Sequence, residues 1–307
     1  MIAFATAITE PEIYARCAEI GFTLAAEPDS EIWATPSLGS IFKSYNALLD
    51  RAARRNDLEA LVLAHQDTQI FDPDFAARVR IAFRDTQVGV VGCVGAIGVR
   101  SIAWWEGSVA LASFVHRFEE HGGGDLPAFS WAWSDAPPYA RTGEVDTLDG
   151  FLLVLSPWVV RNIRFDESLG QLHGYDFDFC LQVRAAGRKV VTEDFRAIHS
   201  HPLEPFSDPE AWIEAHIRVA EKWDGWMAGV GSAPGSWEDR ALRAEAERDI
   251  ARLTDYYNLL QTDARIRELE RHLAELEHSF SWRISAPLRV AEALASRVPV
   301  RRKAPKR

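Results

Sequence analysis

Apolar runs the length of a strand and amphipathic stretches the length of a helix alternate through the first hundred residues. Residues 2–8 read as a buried strand, and residues 11–20 as a helix with Pro11 in its first turn. Residues 40–54 place Ile41, Tyr45, Leu48, Leu49 and Ala52 on one helical face. Residues 58–63 are a short apolar run, and residues 74–84 are helical again. Residues 87–98 are rich in Val and Gly, as a strand buried on both faces and its exit would be. Such an alternation predicts an α/β fold: a mostly parallel sheet with helices on both faces.

The pattern loosens between residues 101 and 143, where Trp104, Trp105, Trp131 and Trp133 accompany a glycine run and a Pro-Pro pair. We read this stretch as loops and edge strands. Residues 148–155 read as a strand and residues 176–186 as a helix closed by Gly187. Residues 189–192 and 195–198 read as short strands, and residues 208–222 as the last helix of the body. The domain organisation expected is a body over 1–225, a linker over 226–236, a long helix over 237–282 and a basic amphipathic tail over 283–307. Within the long helix, Ile266, Leu269, Leu273, Leu276 and Phe280 are spaced 3, 4, 3, 4. Ile250, Leu253, Tyr257 and Leu260 repeat that spacing in another phase. A coiled coil, and through it a homo-oligomer, is one expectation; a helix folded back on its own body is the other.

Charge divides the chain. Residues 283–307 carry eight Lys/Arg and one Glu, a net +7, which leaves −18 for the rest of the overall −11. An acidic body argues against nucleic acid as the main partner, since that binding rests on neutralising phosphates. The tail, with Trp282, Ile284 and Leu288 among its arginines, suits peripheral contact with an anionic membrane surface. The three cysteines, Cys17, Cys93 and Cys180, fit neither a zinc pattern nor a disulfide framework. With no leader-like start and no apolar run of spanning length, the expectation is a cytoplasmic protein, peripheral at most on the inner membrane face.

Three clusters carry chemistry. His65-Gln66-Asp67 follows a buried strand, where ligands of open α/β sheets bind; Asp67 there can hold a hard cation or cap a turn. In Gly174-Tyr175-Asp176-Phe177-Asp178 two carboxylates stand at a helix start, where one can cap while the other faces a cleft as a general base. His199 and His201 point the same way from a strand end and could share a metal. No G-x-G-x-x-G follows the first strand, and no P-loop, G-x-S-x-G or H-E-x-x-H occurs.

The order of these motifs from residue 2 to residue 202 resembles the GT-A glycosyltransferases of the family 2 type, in the streptomycin-biosynthesis glycosyltransferase-like branch. Residues 44–52 look like the helix over which the nucleotide sits. His65-Gln66-Asp67 stands at the D-x-D motif, with His65 in place of its first Asp. Val145-Asp146-Thr147-Leu148-Asp149-Gly150 looks like the strand lining the acceptor side. Asp176 matches the catalytic base, with Tyr175 where a Glu is usual. The resemblance implies transfer of a sugar from a nucleotide-diphosphate sugar to a saccharide or lipid-linked acceptor, inverting and assisted by Mn2+ or Mg2+. It is of the hexosyltransferase type and suits cell-surface polysaccharide or secondary-metabolite glycosylation. By this resemblance Thr6, Glu27, Asn46, His65, Gln66 and Asp67 bind the donor. Trp104, Trp105, Asp149, Gly150 and Asp178 line the acceptor side, Asp176 is catalytic, and Asp67, His199 and His201 hold the cation. The competing classes are a catalytically weak GT-A scaffold protein and a metal-dependent hydrolase.

Overall fold

The computed structural model describes residues 1–97, 99, 101–104, 108–111, 114–117, 142–200, 208–223 and 237–278. The chain begins β1 (Ile2–Ile8), α1 (Pro11–Arg16), α2 (Ala18–Ala25), β2 (Glu31–Pro36), α3 (Ile41–Ala53), β3 (Ala60–Ala64) and β4 (Thr68–Ile70). Then come α4 (Phe75–Ala82), β5 (Val88–Gly92), β6 (Val94–Ile97), β7 (Ser108–Leu111), β8 (Phe114–Arg117), β9 (Thr147–Leu148) and β10 (Leu152–Leu155). It continues through α5 (Pro157–Asn162), α6 (Tyr175–Ala185), β11 (Lys189–Thr192), β12 (Ala197–Ser200) and α7 (Pro209–Lys222) to α8 (Trp237–His278).

The central sheet has the order β11-β5-β10-β3-β1-β2. All its strands run parallel except β10, which lies antiparallel between β3 and β5. Strand alternation sorts the apolar residues onto two faces. Ala3, Ala5, Leu61, Leu63, Leu153 and Leu155 meet Tyr45, Leu48 and Leu49 of α3, Val159 and Val160 of α5 and Val183 of α6. Ile2, Phe4, Val62 and Val154 meet Phe22 of α2 and Phe75 and Val79 of α4. Both layers are sealed, which is why β1, β3, β5 and β10 read as unbroken apolar runs. Two smaller sheets, β4-β12-β8 and β7-β6-β9, flank the carboxyl edge of the large one.

β2 and α5 were not expected, and two of the expected elements are each divided. The single helix expected over 11–20 is two, broken at Cys17 with φ −119° and ψ −81°. The amide of Ala18 donates to the carbonyl of Gln66 at 3.3 Å, so β3's exit segment takes a bond that a continuous helix would keep. The strand expected over 148–155 is also two, β9 and β10. Between them Asp149 N–H bonds Val94 O, Gly150 N–H bonds Asp176 Oδ2, and Phe151 N–H bonds Asp149 Oδ1. Those diverted amides form part of the site. The linker and the tail lie outside the described residues.

Candidate active site

The site gathers where β3 ends. Thr68 in β4 pairs with His199 in β12, and Ser200 N–H donates to Asp67 O at 2.9 Å. That register brings His199 Nε2 to 3.4 Å from Asp67 Oδ1. His65 Nδ1 lies 4.0 Å from the same oxygen. One ligand atom from each of His65, Asp67 and His199 falls within 4.8 Å of the others. The His199 ring stacks on Phe151 at 4.7 Å and 12°, and the other nitrogen of His65, Nε2, lies 2.6 Å from the Tyr175 hydroxyl.

Asp176 stands one residue further along α6. Gly174 before it has φ +75°, a conformation that a side chain would strain, and a Cβ there would also meet Val219 and Ile102. Asp176 Oδ2 accepts from Gly150 N–H at 2.9 Å and Oδ1 from Phe177 N–H at 2.8 Å. Each oxygen keeps a lone pair for a proton. Burial, and then the charge of Asp149, push the Asp176 carboxyl up to about 7 despite those bonds. The residue is largely enclosed by protein yet keeps part of its surface in contact with solvent.

Asp149 feels both ends of the site. Burial raises its carboxyl and Asp67 raises it further, while His199 and the Phe151 amide act the other way. Burial pulls the His199 imidazole down, but Asp67 and then Asp149 more than offset this and leave it above its ordinary value. Three carboxylates, Asp67, Asp149 and Asp176, therefore converge on the region that holds His65 and His199. Two imidazoles and a carboxylate within ligand distance of one another fit a divalent first-row cation.

Other expected site residues are placed elsewhere. Glu27 precedes β2, at the amino end of the sheet and so opposite the site, where it binds Arg80. Thr6 is fully buried inside β1 and presents nothing to a ligand. Asn46 spends its amide on the backbone of Phe165, both N–H and C=O at 2.9 Å, and clamps α3 to the chain after α5. Gln66 accepts from Thr9 and Glu10 amides and donates to the Thr9 hydroxyl, which fixes the loop after β1. Asp178 is fully buried and bound to Lys222, Trp223 and Gln182, with no open face for an acceptor. Gly150 reaches the site through its amide. Trp104 is half-buried against the layer beneath α2 and α4. Trp105 and His201 lie outside the described residues. The structure adds the Tyr175 hydroxyl beside His65 Nε2, a pairing that sequence reasoning missed; the signal was an imidazole and a phenol at two successive departures from the resembled motifs.

Residues 3–216 match the family described as Glycosyltransferase like family, a span that holds every described residue of this site. The chain belongs to this family. The glycosyltransferase is 27% identical over 223 residues to the streptomycin biosynthesis protein StrF of Streptomyces griseus, covering 71% of this chain and 73% of that one. Among solved structures it is similar to the mannosyltransferase PcManGT from Pyrobaculum calidifontis in complex with GDP-Man and Mn2+. That match has 14% identity, 96% and 80% coverage of the two chains, and TM-score 0.43. GalNAc-T7 with UDP, GalNAc and Mn2+ matches at 10% identity, 80% and 54% coverage, and TM-score 0.46. Among the described residues no helix is long and apolar enough to cross a membrane.

Proposed function

We propose that this glycosyltransferase moves a sugar from a nucleotide-diphosphate donor to an acceptor hydroxyl with inversion, Asp176 taking the proton. The observation that carries the reading is the shared rim: the His65–Asp67–His199 cluster and the Asp176 carboxylate are joined through adjacent Tyr175 and its 2.6 Å contact with His65. A base that titrates near 7 is matched to work near neutrality. The Gly150 and Phe177 amides hold its two oxygens, so the carboxylate meets the hydroxyl in a fixed orientation. His65, Asp67 and His199 would hold the divalent cation, which when bound supplies positive charge against the departing diphosphate. Burial, and after it the charge of Asp149, keep the Asp176 proton affinity high.

The test is a screen of UDP-, GDP- and dTDP-sugars by calorimetry with and without Mn2+, followed by transfer and determination of the product's anomeric configuration. One nucleotide class binding with Mn2+ and an inverted product are expected. Retained configuration, or no binding by any class, overturns the reading.

Beyond the site, α8 supports self-association. Ile266, Leu269, Leu273 and Leu276 form one stripe, each about half exposed. In a parallel pair of such helices Arg265 faces Glu270 and His272 faces Glu277 of the other copy, whereas an antiparallel pair sets Glu against Glu. The +7 of residues 283–307 supports contact with an anionic lipid surface near a lipid-linked acceptor.

A further inference from the structure

We propose that Tyr175 is a positioning residue that makes His65 a metal donor, and that the resulting pair of imidazoles tunes the site toward Mn2+ and away from Mg2+. This rests on the cation role proposed above for Asp67 and His199.

An imidazole can present either nitrogen, and the one turned to a metal is set by what holds the other. Here Nε2 of His65 is held by the Tyr175 hydroxyl at 2.6 Å, which turns Nδ1 to the Asp67 oxygen, 4.0 Å away. The hydroxyl is itself held. Tyr175 is 5% exposed, and its ring meets Phe42 and Tyr45 edge-on, at 6.1 and 5.9 Å, and Phe165 at 6.0 Å. The position next to it is kept empty: a Cβ on Gly150 would lie 2.0 Å from the Tyr175 oxygen. A ring wedged among three others cannot swing aside, so only glycine at 150 leaves the hydroxyl where His65 needs it. The two departures from the resembled motifs, His65 and Tyr175, thus touch each other and form one unit.

The donor chemistry sets the preference. Mg2+ binds through oxygen and gives up water reluctantly, while Mn2+, first of the transition-metal series, shares the liking for oxygen yet accepts an imidazole nitrogen better than Mg2+ does. With His65 beside His199, two of the three protein donors are nitrogen.

The experiment uses the full chain without donor. Mn2+ and Mg2+ affinities are measured by calorimetry for the parent, Tyr175→Phe, His65→Ala, Tyr175→Phe/His65→Ala, His65→Asp and Asp67→Asn, each shown to be folded by its thermal midpoint. Tyr175→Phe keeps the ring and removes only the hydroxyl. It should weaken Mn2+ about tenfold, the lower end for loss of an outer-shell partner, and leave Mg2+ within twofold. In the His65→Ala background the same change should do nothing further. His65→Asp should narrow the gap between Mn2+ and Mg2+. Pulsed electron paramagnetic resonance of bound Mn2+ should show couplings to two imidazole nitrogens in the parent and to one in His65→Ala. Mn2+ affinity unchanged in Tyr175→Phe, or an equal loss in both backgrounds, overturns the inference. If Asp67→Asn also leaves Mn2+ binding intact, the cation reading itself fails. If Asp67→Asn abolishes binding while Tyr175→Phe does not weaken it, only the role of Tyr175 falls.

Discussion

The indole N–H of Trp223 donates to Asp178 Oδ1 at 2.8 Å, beneath the Lys222 ammonium that pairs with the same oxygen at 2.8 Å. These contacts pin the end of α7 to the first turn of α6, which also carries Tyr175 and Asp176. Asp178 is an anchor with no exposed surface. Asp178→Ala should cost about 2–3 kcal/mol of folding stability, the low side for a broken buried pair because Lys222 keeps some water. Denaturant titration checks this. The KM for the acceptor below the melting range should stay within twofold, and a larger change would return Asp178 to the acceptor side.

Asp176→Asn should lower transfer about 10²–10⁴-fold, the usual worth of a general base. In the parent, transfer should rise with pH and level off above about 7, as the carboxyl loses its proton.

The same residue gives a stability signature of determinate sign. Its folded value lies above its unfolded one, so between the ordinary carboxyl range and about 7 the folded state binds the extra proton. Stability contributed by the neutral form is therefore lost as pH rises through that window. Asp176→Asn should gain thermal stability over the parent at pH 8 relative to the difference at pH 5. An equal difference at both pH values would mean that the carboxyl is not shifted.

Asp67→Ala should weaken donor binding and erase its dependence on Mn2+, read by calorimetry with and without chelator. Asp67 is the carboxylate of the His65–Asp67–His199 cluster. An unchanged donor affinity under both conditions would reduce Asp67 to a turn residue.

Leu269→Glu with Leu273→Glu should shift sedimentation from dimer to monomer and leave sugar transfer intact. The two lie on α8, which contributes no residue to the site described, and are about half exposed. A monomeric parent would sink the self-association reading.

Much of the scaffold was legible because burial on both faces leaves its mark in composition: β1, β3 and β5 are runs of apolar residues, and α3 carries its stripe. Asp67, His199 and Asp176 were legible as types at strand and helix ends. What was not legible depends on register. His199 reaches Asp67 because β12 pairs with β4 in one frame, and a shift by a single residue would turn its ring away. Glu27 was misplaced because β2, which follows it, is for the most part exposed or half-buried and has no apolar run to mark it as a strand, so Glu27 was not seen to precede one. Asn46, Gln66 and Asp178 have the chemistry of binding residues. Only the structure reveals that backbone or buried partners already consume it.

The reversed strand β10 carries a consequence for how the molecule is made. β3 and β5 are both complete by residue 92, yet neither touches the other, and the gap between them waits for residues 152–155. During synthesis each therefore has a bare, wholly apolar edge through sixty residues of further elongation. Such edges recruit other strands. A fragment ending before Leu152 should aggregate more than one extending through β10, which closes both facing edges with a single segment and leaves the outer edge of β5 to β11. The same closure brings Asp149 and Gly150 into place, so an incomplete chain is at once adhesive and without its reaction centre.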